Sequence, residues 1–238
     1  MIGVRIGVHY PGTAKFDADY QAVLDKAVSQ GYAFPTSAHL GLQNLFVREL
    51  KEKGIWDELD LLYVFAVSTV DNTNNFTRLN FKNPSSFELG LTNAPTWTAN
   101  QGWSNSGTSR LTTGFTLDTD GTNYTRDDAG GFAAFPIGEG GSQTNSRIYG
   151  NDGSSNYLSP RLQVDGSSTG NRNWINDNQY QEMDIHKGSN TIFFQNRTAS
   201  DTINFRSTDL AAGTTKAAQQ GSGVDSNALP AEDLILLG

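Results

Sequence analysis

The sequence predicts a mainly β chain, a sandwich of the jelly-roll type preceded by a small helical pair, and three observations lead there. The first is composition: 25 glycines in 238 residues, with abundant Ser, Thr and Asn and only 18% charged residues, favour turns and strands over helices. The second is rhythm, because beyond residue 60 short apolar or alternating stretches recur between turn signals such as Asp120-Gly121, Gly130-Gly131, Gly140-Gly141 and Asn151-Asp152-Gly153. The third is that helical periodicity is confined to residues 11–60.

The length suits one large domain, or one with a small appendage, and lets the chain bury about 70% of its unfolded surface without staples. Cysteine is absent, which excludes a disulfide scaffold, thiolate zinc sites and a cysteine nucleophile. Net charge is −8, and after Lys53 only Lys82, Lys187 and Lys216 remain among the lysines, a balance that argues against a nucleic-acid partner. No stretch of about 18 apolar residues is present to span a bilayer, so no membrane partner is expected.

The elements follow in order. Ile2 to Val8 alternates like a strand and lacks the long hydrophobic centre of a secretion signal. Asp17 or Asp19 can cap a helix with Tyr20, Val23, Leu24, Ala27 and Val28 on one face, stopped by Gly31. Thr36 or Ser37 can cap a second, with the stripe Leu42, Leu45, Phe46 and Leu50, late positive charges and a stop at Gly54. A helical turn is expected over 55–59. Leu61 to Val67 reads as a buried strand, being short and rich in aromatic and β-branched residues. Strands are then predicted over 87–91, 111–117, 131–136, 146–149, 157–164, 179–186, 191–196, 202–206 and 234–237. Gly138 to Asn145 and Ala211 to Asn227 are expected as exposed small-residue loops. Leu234 to Gly238 reads as an apolar strand with no following strand to cover its edge, so either the sequence is cut short or a neighbouring subunit completes the sheet. The expected division is an anchor and helical pair over 1–60 and a sandwich over 61–238.

Several segments carry a resemblance: Leu50 to Ala66, Leu91 to Ala99 running into Gly107 to Phe115, Asp120 to Ala129, and Asn196 to Phe205. In content and order they resemble a group of tailed-bacteriophage virion proteins, common among phages of Bacteroidetes hosts, that carry a concanavalin A-like or laminin G-like jelly roll. The likeness runs from about residue 15 onward, and family members usually continue past the final Leu-Leu-Gly. It implies fold and context, a virion location with capsid or tail proteins as partners, and no functional residue.

Chemistry is sparse. Glu182-Met-Asp184-Ile-His186 invites comparison with the strand-borne Glu-x-Asp-x-Glu of laminarinase-type glycosidases, since alternation puts Glu182, Asp184 and His186 on one face. The third carboxylate is a histidine here, and retention needs two carboxyl groups about 5–5.5 Å apart, so a polar-faced strand is the reading adopted and no catalytic residue is expected. Asp118, Asp120 and Asn123 could offer calcium oxygen ligands, but Gly121 comes too early for the twelve-residue loop, and an Asp-Gly turn accounts for the same residues. No cofactor is expected, calcium being the single ion weighed. His9, His39 and His186 are scattered. Trp56, Trp97 and Trp103 are expected to pack in cores. Trp174, set among the amides of Gly170 to Asn178, and Tyr180 are the ligand-binding candidates, for which a host-surface glycan would be the ligand. The expectation is therefore a non-enzymatic phage structural protein, displayed as capsid decoration, head fibre or tail component. It would be a homo-oligomer, by the habit of phage fibres a trimer. The alternatives weighed are a carbohydrate-binding adhesin and, behind it, a glycoside hydrolase.

Overall fold

A computed structural model describes residues 15–68, 75–104, 108–135, 146–147, 149–151, 157–162, 171–177, 181–183, 191–209, 212–215, 219–222, 229 and 233–236. The strand and histidine expected at Ile2 to Val8 and His9 lie outside these residues, as do Tyr180, Asp184, His186 and the loop 138–145.

Helix α1 (Ala18–Gln30) starts where Asp17 accepts the Asp19 N–H and ends at Gly31, whose left-handed φ of 69° lets its N–H close back on the last turn. Tyr20, Val23, Leu24 and Ala27 are buried, but Val28 faces solvent, a correction to the predicted stripe. Helix α2 (Ser37–Glu52) is corrected more deeply. Of the stripe predicted to be buried, Leu42 is 62% exposed, Leu45 49% and Phe46 37%, and only Leu50 is inside. Buried instead are Leu40, Gln43, Asn44, Val47 and Leu50. The cause is specific pairing: Gln43 Oε1 accepts from the Tyr20 hydroxyl at 2.8 Å, and Asn44 Oδ1 from the Asp17 N–H at 2.8 Å. Buried oxygens with such partners are tolerated, although Gln43 Nε2 is buried without one, and with Leu40, Val47 and Leu50 the two amides form the inner face, which leaves Leu42, Leu45 and Phe46 outward.

A 3-10 turn over Trp56–Glu58 follows, as expected. Leu61 to Val67 then runs without joining a ladder, a correction to the strand predicted there. Its backbone groups pair singly with several elements: Leu62 O accepts from Phe81 N, Leu62 N donates to Asn80 Oδ1, and Val67 O accepts from Asn100 N. Alternate side chains divide, Leu61 packing on one core and Leu62 on another. A second 3-10 turn spans Asn75–Arg78.

Strands follow, with one further helical turn: β1 (Gly90–Thr92), β2 (Thr96–Thr98), β3 (Gly102–Ser104), β4 (Arg110–Thr116), then the one-turn helix α3 (Leu117–Asp120), β5 (Ala129–Phe135), β6 (Ser146–Arg147), β7 (Tyr149–Asn151), β8 (Tyr157–Leu162), β9 (Asn171–Asp177), β10 (Gln181–Met183), β11 (Thr191–Ala199), β12 (Thr202–Asp209), β13 (Thr214–Thr215), β14 (Gln219–Ser222) and β15 (Asp233–Leu236). The chain is mainly β, with antiparallel sheets ordered β1-β4-β15-β7, β10-β9-β8-β6 and β13-β12-β11-β5, β14 also pairing with β12, and a separate ribbon of β2 and β3. β13 and β14 fall inside the predicted loop 211–227, where polar residues complete a ladder on β12 rather than signal a strand themselves. The terminal apolar run is no edge: β15 pairs with β4 on one side and β7 on the other, which is why Leu234 and Ile235 are buried.

Among the described residues two apolar cores result. One joins Phe115 of β4 and Leu234 of β15 to Ala129, Phe193, Ile203 and Phe205 of the β5, β11 and β12 ladder, so two sheets share it. The other joins the buried faces of α1 and α2 to Trp56, Leu62, Phe76, Leu79 and Phe81, and thus draws on residues past 60. Strand alternation in β5 links them: Ala129 and Ala133 face the first core while Phe132 packs against the second.

Candidate functional site

The sequence-nominated residues fall in separate places. Asp118 is exposed on α3, and Asp120 turns its carboxylate back to accept the Thr116 N–H at 2.8 Å. Asn123 donates its side-chain amide to the Asp57 carbonyl at 2.7 Å. The anion that holds this loop comes from outside it, at a residue that no motif singles out. Asp60 accepts backbone N–H bonds from Thr122, Asn123 and Tyr124, the shortest 2.9 Å. Successive N–H groups converging in this way form a concavity that suits an anion, and Asp60 fills it. Among the described residues no group of three or more His, Asp or Glu side chains could hold a metal ion.

Glu182 sits in β10 opposite Arg172 of β9, and Trp174 lies within β9 opposite Ser159 of β8, each by backbone register. The amide-rich surroundings of Trp174 are therefore strand over Asn171–Asp177. His39 accepts or donates at Nδ1 with Thr36 Oγ1 at 3.0 Å and Ser68 Oγ at 2.7 Å. A serine against an imidazole is half of a nucleophilic triad, but no carboxylate among the described residues bonds His39. The contact ties the start of α2 to the 61–68 segment, where Thr36 N also donates to Ser68 O.

The tryptophans separate into two kinds. Trp56 is 4% exposed, and the ammonium groups of Lys51 and Lys82 stand over its ring at 5.6 and 5.2 Å. Core packing holds for it. Trp97 and Trp103 are half-buried and belong to neither core, a correction to their expected place. They face each other across the β2–β3 ribbon. Trp97 Nε1 donates to the Phe65 carbonyl at 3.1 Å and Trp103 Nε1 to Thr77 Oγ1 at 3.0 Å, so both indoles are held by their polar ends. The signal was present in the sequence, where Thr-Trp-Thr and Gly-Trp-Ser flank the turn residues Asn100 and Gln101.

The remaining surface feature is the outer face of α2, where Leu42, Leu45 and Phe46 form an apolar stripe at helical spacing. No helix among the described residues is long and apolar enough to cross a membrane. Comparison with known protein families, with curated proteins and with solved structures gives no match.

Proposed function

We propose that this chain is a non-enzymatic structural protein of a tailed-bacteriophage particle, displayed at its surface as a capsid decoration, head fibre or tail component. Its β region is a sandwich of the jelly-roll type, a reading supported by two sheets sharing one apolar core. The segments that resemble phage virion proteins supply the context. The observation that carries the functional reading is the exposed apolar stripe of α2. A helix that buries two amides while exposing Leu42, Leu45 and Phe46 presents an apolar patch outward, and contiguous exposed apolar surface of this kind marks a protein interface. The sandwich is then the displayed body and the helical pair the face that meets neighbouring virion subunits.

The test is antibody labelling of purified phage particles, imaged by electron microscopy, with serum raised against residues 61–238. Label over capsid or tail is the expected result and assigns the position. Intact particles that carry no label, from a lysate in which the protein is detected, overturn the proposal.

A further inference from the structure

The geometry of the β2–β3 ribbon points to a binding site for a neutral glycan, built on Trp97 and Trp103. Large aromatic side chains are kept outside a core at a cost in unburied apolar surface. Here two such residues are paired on a surface ribbon, in direct cross-strand register, and neither joins the two cores.

Their ring faces differ from that of Trp56. Among the described residues no cation and no second aromatic ring stacks on either indole, whereas two ammonium groups occupy the surroundings of Trp56. Each indole N–H is already spent on an internal acceptor, at Phe65 O and at Thr77 Oγ1. What remains for a ligand is the outward part of each half-buried indole, its orientation set by these bonds before anything binds. Such preorganisation removes side-chain ordering from the cost of association. At the ribbon tip, beside the ring pair, Asn100 and Gln101 are exposed and offer amides that can both donate and accept.

Charge decides the ligand class. An aromatic pair can hold a quaternary ammonium as well as a sugar, but a cationic ligand calls for carboxylates and an anionic one for Lys or Arg. From Leu89 to Ser109 the sequence has no charged residue at all. A pyranose ring matches what is offered: its C–H face lies on an indole, and its hydroxyls exchange hydrogen bonds with neutral amides. The ribbon therefore takes the place in glycan contact that the sequence assigned to Trp174. The inference rests on this ribbon and not on the particle assignment, so the two can fail separately.

The experiment titrates the full chain with cellohexaose, maltohexaose, chitohexaose and mannohexaose, read by calorimetry and tryptophan fluorescence. Saturable binding of at least one is expected, weakened about tenfold or more in Trp97→Ala and in Trp103→Ala, as for a buried aromatic anchor. Gln101→Ala, which removes an exposed amide and no packing, should weaken it about threefold; it carries the test if a tryptophan variant fails to fold. Binding of none of the four overturns the site. So does binding that survives both tryptophan substitutions and Gln101→Ala in folded protein, or binding displaced by choline or heparin, which would mean that charge is being recognised.

Discussion

At the scale of single residues, two positions have roles that come from backbone geometry. Asp60 gathers the N–H groups of Thr122, Asn123 and Tyr124, and so fastens the loop after α3 to the end of the helical unit. Removing the carboxylate leaves three donors to water in a half-buried loop, which costs about 1–2 kcal/mol. Asp60→Ala should lower the melting temperature by roughly 2–8 °C, with 2–4 °C per kcal/mol in a chain of this size, and Asp60→Asn, which keeps one acceptor oxygen, should lower it less. An unchanged Tm in Asp60→Ala would show that the loop is held by other bonds. Gly114 lies inside β4 with φ of +63°, where the pairing with β15 shifts register and Thr113 Oγ1 reaches the Leu234 carbonyl at 2.7 Å. A Cβ there would meet nothing within 4 Å. Gly114→Ala is thus a measurement of conformation alone, expected to cost about 1–2 kcal/mol in chemical denaturation.

At the scale of elements, the start of α1 is clamped to the end of α2 by Lys51, which bridges Asp17 and Asp19. Burial opposes the charge on Asp17. The Lys51 ammonium and the Asp19 and Tyr20 backbone N–H groups outweigh it and hold the carboxyl below its ordinary 3.8. Burial likewise opposes the charge on Lys51, and Asp17 and Asp19 outweigh it, raising the amine above 10.5. A depressed carboxyl contributes fully above 3.8 and ceases to as pH falls through its folded value; a raised amine contributes below 10.5 and ceases to as pH rises through its own. Lys51→Met should therefore melt lower than the parent between about pH 5 and 9, by the equivalent of less than about 1 kcal/mol for a partly exposed pair. The gap should close as pH falls below 3.8 and through the folded value of Asp17, and a gap that persists once that carboxyl is protonated would assign the loss to packing on Trp56.

Elements also show what could be read in advance. β4, β5, β11 and β12 were legible because alternate residues face a core, as in Ile203, Phe205 and Ser207, and period-2 burial writes itself into sequence. β13 and β14 were not, being short and polar and defined by the partner they pair with, and β2 and β3 left only the trace of a turn between two tryptophan-centred triplets. The buried face of α2 is not legible from apolar spacing, which cannot foresee a tyrosine hydroxyl and a backbone N–H arriving from 23 and 27 residues away to bond the side-chain oxygens of Gln43 and Asn44. The same limit hid the ring pair. Two tryptophans could be counted, but their apposition needed the register, and their exclusion from the cores needed the whole packing.

At the scale of the whole molecule, the question is whether two cores make two folding units. The physical connections predict that they do not. Leu61 enters the sheet core and Leu62 the helical core, so the backbone between them cannot loosen for one alone. β5 presents alternate residues to both, and Tyr63 donates its hydroxyl to the Phe87 carbonyl at 2.6 Å while Phe87 packs edge-on to Phe115 at 5.0 Å. Phe87 holds φ of +60°, a conformation unfavourable for a bulky residue that persists only when contacts on several sides determine it. The connection is thus strained and tightly packed, which favours cooperative loss. Phe205→Ala, a truncation deep in the sheet core, should cost about 3–5 kcal/mol. If the cores unfold together, amide exchange in α1 from Tyr20 to Ala27 should accelerate as much as exchange in β11 and β12, although Phe205 belongs to the other core. Faster exchange confined to the sheets would instead make the helical unit a separate fold. The apolar face of α2 could then dock on a neighbour without any demand on the sandwich, whereas in the coupled case Phe205→Ala must also weaken docking.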